Sequence, residues 1–281
     1  MLTRISHFGD WWAKREDEAY YTGLEYPSGA KVRQYAKMAA RGRAPMLVGC
    51  SANSAMQIYV AAAAKQAGVP GIIYTAARKY PTEATQYALA MGAEVNQVRP
   101  AYLSVCRARA RERATQLGHY IRWRPQLALE DTAAQVANIP EDVQRIVVPT
   151  GSGLTAAGVL LGLARLERYK VFVMAVAVSD MADPYEIVEM AKKALPPLAP
   201  LPPLGIQRVD SKYDQWRAAI LPDGTPLDPY YSAKALPYVQ PRDCLWAPGL
   251  RPLVAMPSAC RLRIEALQHD PTPITASNNC V

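Results

Sequence analysis

The stretch "TGSGLT", residues 150–155, stands between the apolar run "RIVV" and a long apolar segment. It reads as a glycine loop that joins a strand to the first turn of a helix. Small residues leave the backbone open, and the N–H groups of such a loop converge on an anion at the positive end of the helix. Thr150, Ser152 and Thr155 add hydroxyl donors, so the chemistry expected of Thr150, Gly151, Ser152, Gly153, Leu154 and Thr155 is the grip of a phosphate. The lysine of a nucleotide-hydrolysing P-loop is missing, which argues against mononucleotide hydrolysis. Glycines at 151, 153 and 158, with Asp180 beyond the next strand, loosely fit a dinucleotide fingerprint. Close packing of a strand on a helix would ask for the same glycines, and the loop alone leaves these readings open.

Two more stretches place polar side chains where a loop becomes a helix. In "EYPSGAKVRQYAKM", residues 25–38, Lys31 follows a Pro-Ser-Gly turn and opens an amphipathic segment. The plain reading is a surface lysine at a helix start. In "CSANSA", residues 50–55, Asn53 precedes an alanine-rich segment and reads equally well as a helix N-cap. Five scattered cysteines (Cys50, Cys106, Cys244, Cys260, Cys280), with no CxxC pair and only three histidines, give no expectation of disulfides or structural zinc.

The elements that must carry these residues alternate. "MLVG" reads as a strand, "SAMQIYVAAAAKQAG" as a helix closed by Gly68, "GIIYTA" as a strand, "TEATQYALAMGA" as a helix stopping at Gly92, and "EVNQVR" as a third strand. A helix over Leu103–Leu117, a strand at "HYIRW" and a helix at "LEDTAAQVANI" follow, then "RIVV" with its loop and helix, then the strand "KVFVMAVAV". Such alternation predicts parallel sheet covered on both faces. The proline-rich "LPPLAPLPPLG" after Ala194 is expected to run over the surface, and the tail beyond Asp270 to fray.

With 281 residues, half of them apolar, the chain can bury one large core or two modest ones. No apolar run reaches the roughly 18 residues of a membrane span, so a cytoplasmic protein without membrane association is expected. The formal charge of +8 suits an anionic partner, and Arg107, Arg109, Arg111, Arg113, Arg122 and Arg124 concentrate it. Arginines at alternate helical positions spread over more than one face, as a solvated surface does; nucleic acid or a phosphorylated substrate is the other reading.

In order, "PSGAKVR", "CSANSA" and "TGSGLTAAG" resemble the three cofactor-binding segments of the tryptophan synthase β-like family, the fold-type II enzymes that use pyridoxal 5′-phosphate. A fourth, "LDPYYSAKAL", is similar to the tyrosine-containing segment of the branch holding aminocyclopropane-carboxylate deaminase and D-cysteine desulfhydrase. Together they span residues 27–236. The resemblance implies an α/β chain of mainly parallel sheets covered by helices, in two domains: a smaller one over 36–135, and a larger cofactor-binding one from 1–35 and 136–281. It implies that Lys31 forms the internal aldimine, a role that asks for a lysine held still and easily deprotonated. It further implies that Asn53 contacts the cofactor's ring hydroxyl, that Ser51 and the backbone of 52–55 hold a substrate carboxylate, and that the 150–155 loop holds the phosphate.

Tyr231 aligns with a tyrosine beside the reacting carbon, a proton donor or acceptor. Ser232 falls where relatives face the pyridine nitrogen with glutamate or threonine, with Ser258, in "MPSAC", as its rival; the resemblance also implies a pocket-lining place for Tyr213, although the chain between Tyr213 and Tyr231 is shorter than in that branch. A serine keeps that nitrogen less protonated than a carboxylate does, which favours simple elimination or modest carbanion chemistry. The segments depart from the family pattern at Cys50, Ala52 and Leu154. The expectation is a homodimeric lyase-type or deaminase-type enzyme, with deamination, elimination and decarboxylation all open, acting on an amino acid or amino-acid-like group. The same chemistry on an amino-acid group attached to a DNA base would suit the basic surface. From other classes, a catalytically silent nucleic-acid-binding relative and a nicotinamide-dependent oxidoreductase remain.

Overall fold

The computed structural model of the chain describes residues 2–21, 24–40, 43–122 and 124–269. The N-terminal hairpin is β1 (Ile5–Phe8) and β2 (Trp11–Arg15). There follow β3 (Tyr20–Tyr21), β4 (Leu24–Ser28), α1 (Ala30–Ala39), β5 (Met46–Cys50), α2 (Met56–Ala67), β6 (Gly71–Ala76), α3 (Glu83–Ala90), β7 (Glu94–Val98) and α4 (Leu103–Leu117). The remainder is α5 (Pro125–Gln135), β8 (Arg145–Thr150), α6 (Leu154–Arg165), β9 (Phe172–Ala177), α7 (Pro184–Lys192), β10 (Leu204–Arg208), α8 (Ser232–Ala235), β11 (Asp243–Ala247) and α9 (Ser258–His269). They form two compact units. The first takes the chain's start through Glu18, Pro125–Leu250 and the segment from Ala259 on; the second takes Ala19–Arg124 and Arg251–Ser258.

The first unit is built on a six-stranded sheet of order β1-β2-β11-β8-β9-β10, antiparallel only between β1 and β2. Alternate residues of four strands, Ala13, Val147, Val176 and Leu245, pack with Leu221, Leu227 and Ala233 into one core. Helix α6 is apolar all round because it is covered all round, by β8, β9, α5 and α7. Gly158 and Gly162 face α5 so closely that a Cβ on Gly158 would lie 2.6 Å from the Thr132 Cβ, and one on Gly162 2.5 Å from the Ala133 carbonyl oxygen. Helix-on-helix packing therefore accounts for the third glycine of the dinucleotide-like pattern.

In the second unit β5, β6 and β7 are parallel, and α2 and α4 both pack on β5 and β6. The alanine run of α2 allows close approach, and the backbone of α4 lies so near β5 that a Cβ on Gly49 would sit 2.5 Å from the Cys106 carbonyl oxygen. Arg107, Arg109 and Arg111 are exposed and Arg113 is half-buried, so the arginines of α4 do point in several directions.

Most expected elements lie where the pattern put them, α4 over the expected residues. The strand at "HYIRW" does not form: it shrinks to one bridge, Ile121 beside Met46, with Trp123 outside the described residues. Gly118 at φ +67° ends α4 and Pro125 already opens α5, leaving no length for a ladder. The proline-rich connection is surface chain, with Leu198 fully exposed, but its end enters the sheet as the edge strand β10. Prolines before an edge strand remove no ladder bond. The tail from 270 lies outside the described residues, with Cys280; Cys50, Cys106, Cys244 and Cys260 are buried thiols. Among the described residues no helix is long and apolar enough to cross a membrane.

Candidate active site

In the first unit β8 delivers the loop at 150–155 to the N-terminus of α6. Gly153, the N-cap, has φ +83°, and a Cβ there would lie 2.5 Å from Ile187 Cγ1, so conformation and space both require glycine. The first-turn N–H groups of α6 have no carbonyl one turn back to meet, and no side chain caps them. An anion fits those donors. Thr150 is buried with its hydroxyl donating to the Val148 carbonyl at 2.8 Å; Ser152 is exposed, Thr155 half-buried and Leu154 buried. Ser179 donates its hydroxyl to the Gly151 carbonyl at 3.3 Å, bracing the loop from β9's end.

Gly151 opens the loop to a phenol. A Cβ there would stand 3.2 Å from the Tyr231 hydroxyl oxygen and from a carbon of its ring. The Tyr231 hydroxyl is 3.3 Å from that of Tyr213, the rings meeting edge to face with centroids 5.8 Å apart. Ser232, buried at the start of α8, accepts the Asp228 N–H at 2.9 Å. Ser258, its rival, is exposed at the start of α9.

Lys234, two residues beyond Ser232, was not singled out by pattern. It is 3% exposed, and its ammonium donates to the carbonyls of Lys212 (2.8 Å) and Tyr213 (3.4 Å). Burial pushes its pKa down to about 8 against the opposing pull of Asp214 and Asp228. A lysine among small apolar residues in "SAKAL" was the available signal.

In the second unit Lys31 stands at the second position of α1. Gly29 before it takes φ +116° and donates its N–H to the Ala19 carbonyl at 2.7 Å. The Lys31 ammonium lies 5.7 Å from the centre of the Tyr59 ring, whose hydroxyl donates to the Ser28 carbonyl at 2.9 Å. One tyrosine of α2 thus contacts both the turn and the lysine. Asn53 is not a helix cap: α2 opens at Met56 after Ala55, and the Ser54 hydroxyl accepts the Met56 N–H. The Asn53 amide is half-buried and makes no side-chain hydrogen bond among the described residues.

The carbonyls of this loop are held from behind. Gln57, fully buried, donates its amide N–H to the carbonyls of Ala52 (2.6 Å) and Ser51 (3.3 Å), and its own oxygen accepts the Thr85 hydroxyl at 3.0 Å. Thr82 donates to Ala52 O at 2.7 Å and buried Arg251 to Asn53 O at 3.4 Å. A peptide's C=O and following N–H point in opposite directions, so fixing the carbonyls of Ser51 and Ala52 aims the N–H groups of Ala52 and Asn53 the other way.

The profile of the pyridoxal-phosphate dependent enzymes matches residues 2–205. With its mixed α/β architecture of mainly parallel sheets, the chain belongs to that family, the fold-type II enzymes, and its cofactor is pyridoxal 5′-phosphate. Membership sets aside the dinucleotide reading of the glycine loop. No curated protein matches the chain. Among solved structures it is similar to an ACC deaminase homologue (19% identity, TM-score 0.71, 89% of each chain covered). It is also similar to an L-serine ammonia-lyase from Rhizomucor miehei (14%, 0.62, 95% of this chain and 98% of that one). A third is the diaminopropionate ammonia lyase of Escherichia coli (15%, 0.63, 94% and 83%).

Proposed function

We propose that the chain catalyses lyase-type chemistry, ammonia loss or elimination before decarboxylation, on an amino acid or amino-acid-like group, free or attached to a larger molecule. The cofactor, when bound, supplies an electron sink that weakens one bond at the substrate's α-carbon. Lys31 would hold the cofactor through its ε-nitrogen, and the same side chain would take a proton from, or give one to, the substrate. The N–H groups at 151–155 and the head of α6 hold the phosphate, and the Asn53 amide orients the ring. Ser232, being buried, suits the pyridine nitrogen better than exposed Ser258. The N–H groups of Ala52 and Asn53, with Ser51, take the substrate carboxylate. A homodimer is part of the same reading.

The observation that supports this best is the phenol pair at Gly151: two hydroxyls 3.3 Å apart can pass a proton to or from a leaving group while each stabilises the other's oxygen. Three structural neighbours whose names describe a deaminase homologue or ammonia-lyases point the same way. Tyr231→Phe should keep the visible absorption of the bound cofactor and lower turnover of amino-acid substrates by about 100-fold or more, measured as released ammonia or keto acid. Unchanged turnover would remove Tyr231 from the chemistry.

A further inference from the structure

The parallel strands β5, β6 and β7 end side by side, Cys50 paired with Thr75 and Ala76 with Val98. Their outgoing loops leave one edge and are stitched together. Ala77 donates its N–H to Val98 O at 3.1 Å, Arg78 its N–H to the Gln97 side chain at 3.3 Å, and Thr82 its hydroxyl to Ala52 O at 2.7 Å. These loops, "SANSA", "ARKYPT" and "RPAY", carry Arg78, Lys79 and Arg99 and no carboxylate. Arg107, at the start of α4, adds a fourth cation: its Cα would lie 2.7 Å from a Cβ on Gly49, beside the end of β5. All four are exposed, and none forms an ion pair among the described residues.

Two aromatic rings interleave with the charges. Tyr80 is 72% exposed and Tyr102 68%, and the Lys79 ammonium lies 5.3 Å from the centre of the Tyr80 ring. Large exposed rings on a rim of uncompensated charge mark a binding surface rather than a solvated one. A small amino acid needs neither the spread of cations nor the rings. A single nucleic-acid strand uses both, its phosphates on the cations and its bases stacked on the aromatics.

We propose that this rim binds single-stranded nucleic acid. The amine presented to the adjoining Ser51–Ala55 loop is then carried on a nucleotide, a consequence that rests on the lyase reading above. The test is fluorescence anisotropy of the pyridoxal-phosphate-loaded full chain with a labelled strand of about 20 nucleotides, its duplex, and heparin. Affinity for the single strand should fall steeply with salt. Arg78→Ala, Lys79→Ala and Arg99→Ala should each flatten the plot of log K against log salt by about 0.7. Tyr80→Ala and Tyr102→Ala should weaken binding about 5- to 100-fold with the slope unchanged. No binding at about 50 mM salt, or heparin and duplex bound as tightly with the tyrosine variants silent, overturns the proposal. Neither result touches the lyase reading, which fails separately if the loaded protein converts no amine.

Discussion

Gln57 illustrates what a single side chain contributes to this site. Its amide is oriented by the Thr85 hydroxyl and secures two carbonyls of the Ser51–Asn53 loop. Removing it strands buried carbonyls at a cost of about 1–3 kcal/mol. In the loaded protein, Gln57→Ala should weaken binding of an amino acid roughly 5- to 100-fold by this loss while leaving binding of the matching amino-acid amide nearly unchanged, both read from the shift in the cofactor's visible band. Equal weakening of acid and amide would mean that the loop does not read a carboxylate. Lys234 offers a second test, in which the sign follows from linkage. Its folded pKa of about 8 lies below the 10.5 of a free lysine, so between those values the unfolded chain holds more protons and stability rises with pH. Below about 8 the folded state bears the full burden of the buried charge. Urea midpoints measured across this window should rise more for the native chain than for Lys234→Met; parallel curves would place the ammonium in water. Lys31, Asn53, Tyr231 and the glycine loop were legible because short motifs name them. Gln57, Lys234 and Tyr59 were not, since their partners are backbone carbonyls brought to them by folding.

At the level of elements, periodicity and caps carried most of the reading. Gly68 and Gly92 end α2 and α3 at φ +63° and +85°, and the apolar runs became β5, β6, β8 and β9. Helix α7 was missed although Asp183 caps it, accepting the Tyr185 N–H at 2.8 Å, and Pro184 follows as its first residue. The N-terminal hairpin was missed for a different reason: β2 carries Lys14 and Arg15, both buried, which breaks the apolar signal of a central strand. Arg15 is buried only because it is fully engaged. It donates to both Asp17 oxygens (2.8–3.1 Å), to Asp223 at 2.7 Å and to the Thr225 hydroxyl at 2.9 Å, pinning β2 to the 223–225 turn. Burial holds the Asp17 carboxyl above its ordinary pKa, with Arg15 opposing the rise. Arg15→Met should therefore destabilise the first unit by about 3–5 kcal/mol in urea unfolding, since it leaves a buried carboxylate without its cation. A loss below about 1 kcal/mol would show that the network is incidental.

The whole molecule joins segments that no local pattern connects. Residues 251–258 return to the second unit, where Ala255 packs with Ile58, Ala84 and Tyr87 and Arg251 reaches the Asn53 carbonyl. The first 18 residues complete the sheet of the first unit by pairing β2 with β11. Contacts across some 200 residues leave no trace in the spacing of neighbouring side chains, whereas the alternation of strand and helix between residues 46 and 177 fixes a mainly parallel class. The chemistry proposed for Lys31 is the claim on which the rest depends. Borohydride reduction of the pyridoxal-phosphate-loaded protein, followed by proteolysis and mass spectrometry, tests it most directly. The account predicts a single phosphopyridoxyl adduct on the peptide containing Lys31, lost in Lys31→Ala together with the visible absorption. An adduct on another lysine, Lys234 included, or no adduct at all, would contradict it.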